Sequence, residues 1–169
     1  RLVDHAAALV HRGAICGIVP KEKLPTYNVF YEARTFGRGS PGLYDIVHGV
    51  PFGDLFFQMD FGTMALEVCE DIWSCDGPMR RRSYAGAELI INVSASPFRL
   101  GMPATRREML ATRTADNQVV VAYANLVGTN DGLIFDGGGF VYQAGRMLIE
   151  APRFREGVTC ITVDLDRTT

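Results

Sequence analysis

Residues 66–73 read Leu66-Glu67-Val68-Cys69-Glu70-Asp71-Ile72-Trp73, an apolar run that ends in a cysteine with carboxylates close on both sides. Residues 63–68 alternate in polarity, which predicts a β-strand whose odd-numbered side chains share one face. Glu67 and Cys69 are therefore expected on the same side. A thiol at a strand end is a candidate nucleophile, but its usual pKa near 8.5 leaves it mostly protonated at neutral pH. Cys69 then needs a base and a group that stabilises an oxyanion.

Strand and helix patterns alternate on both sides of this run. Strands are predicted at residues 6–10, 14–19, 52–59, 88–93, 118–125, 140–143, 147–150 and 159–163, and helices at residues 83–88 and 104–116. Residues 35–51 are rich in glycine and proline, which predicts a long loop. This order indicates a mixed α/β domain with more strand than helix. Because the chain starts directly in a hairpin, we expect an N-terminal portion to be missing.

The composition limits the possible functions. The 169 residues, 47% hydrophobic and 21% charged, predict a single domain over residues 1–169. A net charge of -2 argues against a nucleic-acid partner. The triplet Arg80-Arg81-Arg82 is interpreted as a solvated loop or, alternatively, as a salt-bridged subunit contact. Neither a signal peptide nor a run of roughly 20 apolar residues is seen, so we expect a cytoplasmic protein without a membrane partner.

The four cysteines are irregularly spaced and form no CxxC pair, so neither a disulfide framework nor a zinc site is expected. Cys16 and Cys160 lie inside predicted strands and are expected to be small buried hydrophobic residues. Cys75 lies in a polar loop and is expected to be incidental.

A lysine and a carboxylate precede the cysteine run. They belong to the segments Pro20-Lys21-Glu22-Lys23-Leu24-Pro25-Thr26-Tyr27 and Tyr31-Glu32-Ala33-Arg34-Thr35-Phe36. From residue type alone, Lys21 is more often a surface lysine, and Lys23 competes for the same role. Glu32 has the alternative of pairing with Arg34 on a loop.

Three segments resemble motifs of the nitrilase superfamily of carbon-nitrogen hydrolases. In that family the lysine stands four residues before the proline of a Leu-Pro pair, which selects Lys21 over Lys23. Residues 32–36 resemble the E-x-R-x-F segment, and residues 68–73 resemble the nucleophile motif. The sequences C-E-D-I-W, Asn92-Val93-Ser94-Ala95-Ser96-Pro97-Phe98 and residues 128–138 are similar to the glutaminase domains of glutamine-dependent NAD synthetases. The resemblance runs from about residue 6 to the C-terminus.

The resemblance implies a nitrilase-type four-layer α-β-β-α sandwich and a catalytic set of Cys69, Lys21 and Glu32. In this family the cysteine attacks the glutamine side-chain amide, which gives a γ-glutamyl thioester and ammonia, and water then releases glutamate. Lys21 and the backbone N–H of Glu70 are expected to hold the oxyanion. Glu32 is expected to be the accessory carboxylate that keeps Lys21 in place.

The same resemblance assigns substrate contacts to Tyr27, the Glu70 side chain and Ser96, with Glu70 pairing with the substrate ammonium. Where the family has a lysine or arginine, this chain has Met102. That difference removes one partner for the α-carboxylate of glutamine, and Arg99 and Arg106 are the alternatives.

The family's general base is a glutamate in the N-terminal strand region. No residue before Lys21 matches it, and Asp4 is not a credible substitute. Glu67 shares the predicted face of Cys69, but we expect it to be structural. The native protein is then longer than these residues, or the chain is catalytically incomplete.

The resemblance implies no cofactor and no metal for the glutaminase step. ATP, deamido-NAD and Mg are expected only for a synthetase domain, which these residues do not contain and which acts in cis or in trans. A homo-oligomer is also expected. The alternatives are a free-standing amidase for another small amide, which Met102 favours, and a truncated non-catalytic module of the same fold.

Overall fold

The computed structural model describes residues 3–168, which contain short strands, three α-helices and two 3-10 helices. The strands are β1 (Val3–Asp4), β2 (Ala6–His11), β3 (Ala14–Pro20), β4 (Phe36–Gly37), β5 (Tyr44–Val47), β6 (Val50–Gly53), β7 (Phe57–Met59), β8 (Gly62–Val68), β9 (Leu89–Ser94), β10 (Val120–Asn125), β11 (Val127–Asn130), β12 (Leu133–Asp136), β13 (Gly139–Gln143) and β14 (Arg146–Glu150). The helices are α1 (Glu32–Thr35), α2 (Pro78–Tyr84) and α3 (Met102–Asn117), and the 3-10 helices are Cys69–Ile72 and Leu165–Thr168. Between residues 3 and 168, no helix has both the length and the apolar character needed to cross a membrane.

A six-stranded sheet in the order β14-β13-β10-β9-β8-β7 is the centre of the molecule. Its middle strands β8, β9 and β10 are parallel, and the outer strands pair antiparallel. The middle strands are apolar because they are covered on both faces. Helices α2 and α3 lie on one face, where Ile90, Leu110 and Val121 are fully buried in the larger core cluster.

A second sheet, in the order β2-β3-β6-β5, packs against the opposite face of β8. Ala7 and Val19 of this sheet join Met64, Leu66 and Val68 in a second apolar cluster. Helices, six-stranded sheet and four-stranded sheet are thus successive layers, which confirms the α/β prediction. On the outside of the four-stranded sheet, the paired residues Val10 and Ile15 are exposed.

Residues 35–59 differ from the sequence prediction. The predicted loop at residues 35–51 contains strand β5 and the start of β6, which form a hairpin with Val47 paired to Val50. Its two turn residues, His48 and Gly49, both have positive φ, as two-residue hairpin turns require. The predicted strand at residues 52–59 is divided between β6 of one sheet and β7 of the other.

Two further predictions were wrong, and one hairpin was not predicted. The helix predicted at residues 83–88 is α2, which begins at Pro78, a residue suited to the first helical turn, and ends before Gly86. Residues 159–163 form no strand. The β11–β12 hairpin was missed, although its Asp131-Gly132 turn is a recognisable hairpin sequence.

The cysteine predictions also need correction. Cys16 and Cys160 are exposed rather than buried, and Cys160 lies outside the strands. Cys75 is exposed, and only Cys69 is partly buried.

Candidate functional site

The candidate site lies where strand β3 of one sheet and strands β8 and β9 of the other end. Strand β8 stops at Val68, and Cys69 begins the 3-10 helix with a φ of 48°, a left-handed conformation that is uncommon for a residue other than glycine. This turn interrupts the alternation of the strand. Cys69 therefore packs against the cluster of Leu66 and Val68, and the prediction that it shares a face with Glu67 is wrong.

Lys21 follows β3 and is completely buried. Its Nζ atom bonds both carboxylate oxygens of Glu32, at 2.8 and 2.7 Å. Its carbonyl accepts the N–H of Gly39, at 2.9 Å, and a Cβ on Gly39 would lie 2.7 Å from the Pro20 carbonyl oxygen. The close backbone approach fixes the Lys21 segment, and Lys21 is not the surface lysine of the alternative interpretation.

The Glu32 carboxylate forms an ion pair with Lys21 through both of its oxygens. Burial alone would raise the pKa of Glu32, but contacts with His5 and Lys21 outweigh burial and hold that pKa below its usual value. The Nδ1 atom of His5 lies 3.6 Å from Glu32 Oε2. Arg34, the alternative partner, stacks on Tyr31 instead. Glu32 is therefore ionised at neutral pH and balances the charge of Lys21.

The Lys23 side chain pairs with a different carboxylate, that of Asp76. Its Nζ atom lies 2.9 Å from Oδ1 of Asp76, which is 77% exposed. The Lys23 ammonium therefore pairs with a surface carboxylate, and the geometry favours Lys21 as the lysine of the site.

The surroundings of the Cys69 thiol act on its pKa in opposite directions. Burial raises its pKa, whereas the positive charge of Lys21, the N–H of Ala95 and the Ser94 hydroxyl lower it, and the net pKa is above the usual value. The thiol is therefore protonated at neutral pH. A thiol beside a buried ammonium suits attack on a carbonyl group, provided that a base takes the thiol proton.

Tyr27 and Glu70 meet at the mouth of this site. The Tyr27 hydroxyl donates to Oε1 of Glu70 at 2.8 Å. Burial, together with Glu70, raises the pKa of Tyr27 to about 12, so the phenol stays protonated. Burial also raises the pKa of Glu70. Arg99 is exposed, and its positive charge opposes the rise in the pKa of Tyr27.

Ser96 is buried, and hydrogen bonds hold its backbone in place. Its N–H donates to Asn125 Oδ1 at 2.8 Å, and its carbonyl accepts from Arg106 at 2.8 Å. Arg106 is buried and also pairs with Asp136 at 2.7 Å. Because Arg106 is already committed, Arg99 is the better of the two alternatives for a substrate carboxylate.

Asn92 and Ser94, at the end of β9, lie in a segment that the resemblance includes, but sequence reasoning gave them no role in the site. The Ser94 hydroxyl donates to Asn92 Oδ1 at 2.7 Å, and Asn92 Nδ2 lies 3.4 Å from the Cys69 carbonyl oxygen. The buried Tyr123 of the adjacent strand faces Ser94, Ser96 and Cys69. Asn92 and Ser94 are two residues apart in an otherwise apolar strand, and that spacing was the available signal.

Glu67 and the arginine triplet lie away from the thiol. Glu67 is completely buried, and burial raises its pKa to about 8, with Arg82 as the main opposing influence. Arg80, Arg81 and Arg82 lie in α2, and Arg82 is buried. The interpretation of the triplet as a solvated loop was therefore wrong, and the subunit contact stays a prediction. No group of three or more potential metal-binding side chains occurs in the part of the chain that the structure describes.

The chain is similar in sequence and in structure to known proteins. The carbon-nitrogen hydrolase family profile matches residues 3–169. The chain is 38% identical over 162 residues to the glutamine-dependent NAD(+) synthetase of Aquifex aeolicus (strain VF5), which covers 95% of this chain and 26% of the relative. It is 36% identical over 164 residues to the protein of the same name from Thermotoga maritima, which covers 96% of this chain and 26% of that relative.

Among solved structures, the chain is similar to the glutamine-dependent NAD+ synthetase of Acinetobacter baumannii in complex with adenosine diphosphate. The TM-score is 0.80 at 30% sequence identity, and the match covers 91% of this chain and 27% of that one. The chain thus spans about a quarter of the length of these relatives.

Proposed function

This chain belongs to the carbon-nitrogen hydrolase family, and on that premise we propose that it hydrolyses the side-chain amide of glutamine through a thioester on Cys69. The observation that carries the proposal is the buried Lys21 ammonium, which Glu32 holds in place and whose positive charge lowers the pKa of the Cys69 thiol. Domain 1–169 is then the glutaminase part of a glutamine-dependent NAD synthetase.

The proposed reaction has two steps. Cys69 Sγ forms a bond to the amide carbon, and the carbonyl oxygen becomes an oxyanion beside the Lys21 ammonium. The backbone N–H of Glu70 is a second donor, because N–H groups in the first turn of a helix have no intrahelical acceptor. A general base carries one proton from the thiol to the amide nitrogen, the C–N bond breaks, and ammonia leaves. Water then adds to the thioester and releases glutamate and the thiol.

Glu32 has a positioning role in this mechanism. Both of its oxygens bond the ammonium of Lys21, so it holds that group in place rather than accepting the thiol proton. Stabilisation of a developing oxyanion by a fixed donor is typically worth about 2.7–4 kcal/mol.

Recognition of the substrate is assigned to the mouth of the site. Glu70, oriented by Tyr27, pairs with the α-ammonium of glutamine, and Ser96 supplies a further polar contact. Arg99 takes the α-carboxylate, since Met102 carries no charge and is buried in the first turn of α3. The names of the relatives, glutamine-dependent NAD(+) synthetase, support this choice of substrate.

The use of the ammonia is also proposed. A synthetase domain in cis or in trans would take it up in an ATP- and Mg-dependent amidation of deamido-NAD, and the domain would act within a homo-oligomer. The glutaminase step itself is proposed to need no cofactor. A free-standing amidase for another small amide is the second candidate, and Met102 is the residue that favours it.

The direct test combines ammonia release with labelling by a glutamine-analogue electrophile, mapped by mass spectrometry. We expect label on Cys69 alone, faster ammonia release from glutamine than from other small amides, and a loss on the order of 10³-fold or more in Cys69→Ala. Cys16→Ala is the control, because Cys16 is exposed and outside the site. Equal losses in both variants contradict the nucleophile, faster turnover of another amide supports the second candidate, and absence of both label and turnover supports a non-catalytic module.

A further inference from the structure

The carboxylate of Asp71 lies buried between the two halves of the site. Its Oδ1 atom accepts the backbone N–H groups of Glu22 and Lys23, at 3.0 and 2.8 Å. Its Oδ2 atom accepts the N–H of Val68 at 3.1 Å. One side chain therefore joins the two residues after Lys21 to the residue before Cys69.

We propose that Asp71 is a positioning residue, which fixes the Lys21 ammonium relative to the Cys69 thiol. Its hydrogen bonds join the lysine segment, residues 21–23, to the cysteine turn, residues 68–71, and this connection is called the tie below. The inference rests on the proposed function, since it concerns the same thiol and the same lysine. Asp71 does not itself contact the substrate in this scheme.

The tie matters because Lys21 and Cys69 come from different sheets. Lys21 follows β3 and Cys69 follows β8, and the two sheets share no strand ladder among the described residues. They meet through apolar packing, which is non-directional, and through the ion pairs of Arg81 and Arg82 with Glu22 and Asp54, which do not include the backbone on either side of Cys69. The three hydrogen bonds of Asp71 are directional and fix the register that an oxyanion site requires.

The chemistry of the side chain fits this role better than a space-filling one. Asp71 is 1% exposed, and burying a carboxylate is costly unless hydrogen bonds compensate. Its three donors are all backbone N–H groups, which need two acceptor oxygens in fixed positions. Asparagine has only one acceptor oxygen and places an NH₂ group against a backbone donor.

The test is Asp71→Asn, with Asp76→Asn as the matched control. Asp76 also contacts the lysine segment, but through the Lys23 side chain and at the surface. The measurements are the pH profile of Cys69 alkylation by iodoacetamide, kcat and KM for glutamine hydrolysis, and thermal unfolding. We expect Asp71→Asn to lower kcat by about 10- to 100-fold with little change in KM. Asp76→Asn should match the wild type.

The direction of the alkylation profile separates positioning from simple charge removal. Loss of a nearby negative charge alone would lower the midpoint of the profile. If the tie is lost, the Lys21 ammonium stabilises the thiolate less, and the midpoint rises. A midpoint that is unchanged or lower, with kcat unchanged, overturns the inference.

A second variant keeps the inference testable if Asp71→Asn does not fold. Asp71→Glu retains two acceptor oxygens one methylene further out, and we expect partial activity and a smaller rise of the midpoint. Wild-type kcat and midpoint in Asp71→Glu, alongside an unfolded Asp71→Asn, would assign Asp71 to stability alone. If wild-type Cys69 is not labelled by the glutamine-analogue electrophile and releases no ammonia from glutamine, the proposed function itself fails, so the two failures are distinguishable.

Discussion

Lys21 and Glu22 are neighbours in the chain, and both are buried, yet they enter different charge networks. Lys21 bonds one carboxylate, Glu32, at the candidate site. Glu22 accepts from Arg81 at 2.5 Å and lies 3.5 Å from Arg82. Both arginines also bond Asp54, at 2.9 and 3.0 Å.

The two networks differ in whether they are complete. Around Glu22, two arginines face two carboxylates, and Arg82 also bonds the carbonyl of Leu66. Around Lys21, the ammonium has three donors and its bonds within the described residues go to Glu32 alone, which leaves a donor for an incoming oxygen. A complete network serves stability, and an incomplete one is suited to bind a transition state.

The largest expected effect is in the complete network. Arg82→Met keeps the bulk of the side chain but leaves the carboxylates of Glu22 and Asp54 short of one partner. Removal of one member of a buried ion pair typically costs about 3–5 kcal/mol, and we expect a loss of that size in denaturant unfolding. Arg80→Met is the control, because Arg80 is exposed and should change stability by less than about 0.5 kcal/mol. Equal effects at both positions would contradict the distinction between the networks.

The next effect is in the incomplete network. Lys21→Ala removes the proposed oxyanion donor, and we expect kcat for glutamine hydrolysis to fall by about 10²- to 10³-fold. Stability should fall less than in Arg82→Met, because the Glu32 side chain is 16% exposed and can regain water. Lys23→Ala is the control and should retain nearly full activity. A mild effect of Lys21→Ala would return the oxyanion role to backbone donors.

A candidate site residue could be predicted from the sequence when the residue and its motif lie in one short segment of the chain. Cys69, Lys21 and Glu32 each lie in a motif, and the structure brings the three side chains together. The alternating polarity of strand β8 could not predict on which face of the sheet Cys69 lies, because the positive φ of Cys69 ends the strand pattern at that residue.

The buried charges were missed for a different reason. The partners of Arg82 are 28 and 60 residues away in sequence, so no local pattern indicates that the arginine is buried. The same reason applies to residues 159–163, whose β-propensity was read correctly but which have no strand partner among residues 3–168. Local patterns predict elements, whereas pairing across the chain decides which charges and strands are buried.

Glu67 tests whether the network of Arg82 is balanced, and its effect is confined to the pH dependence of stability. In the unfolded chain Glu67 ionises near pH 4.5, but in the folded protein burial raises its pKa to about 8 despite the charge of Arg82. Between these values the unfolded state loses a proton that the folded state keeps, so stability falls as pH rises, by up to about 1.4 kcal/mol per pH unit. Glu67→Gln should flatten this fall in urea unfolding between pH 5 and pH 8 and leave activity intact. If instead Arg82 has spare positive charge and keeps Glu67 ionised, the variant and the wild type will show the same slope.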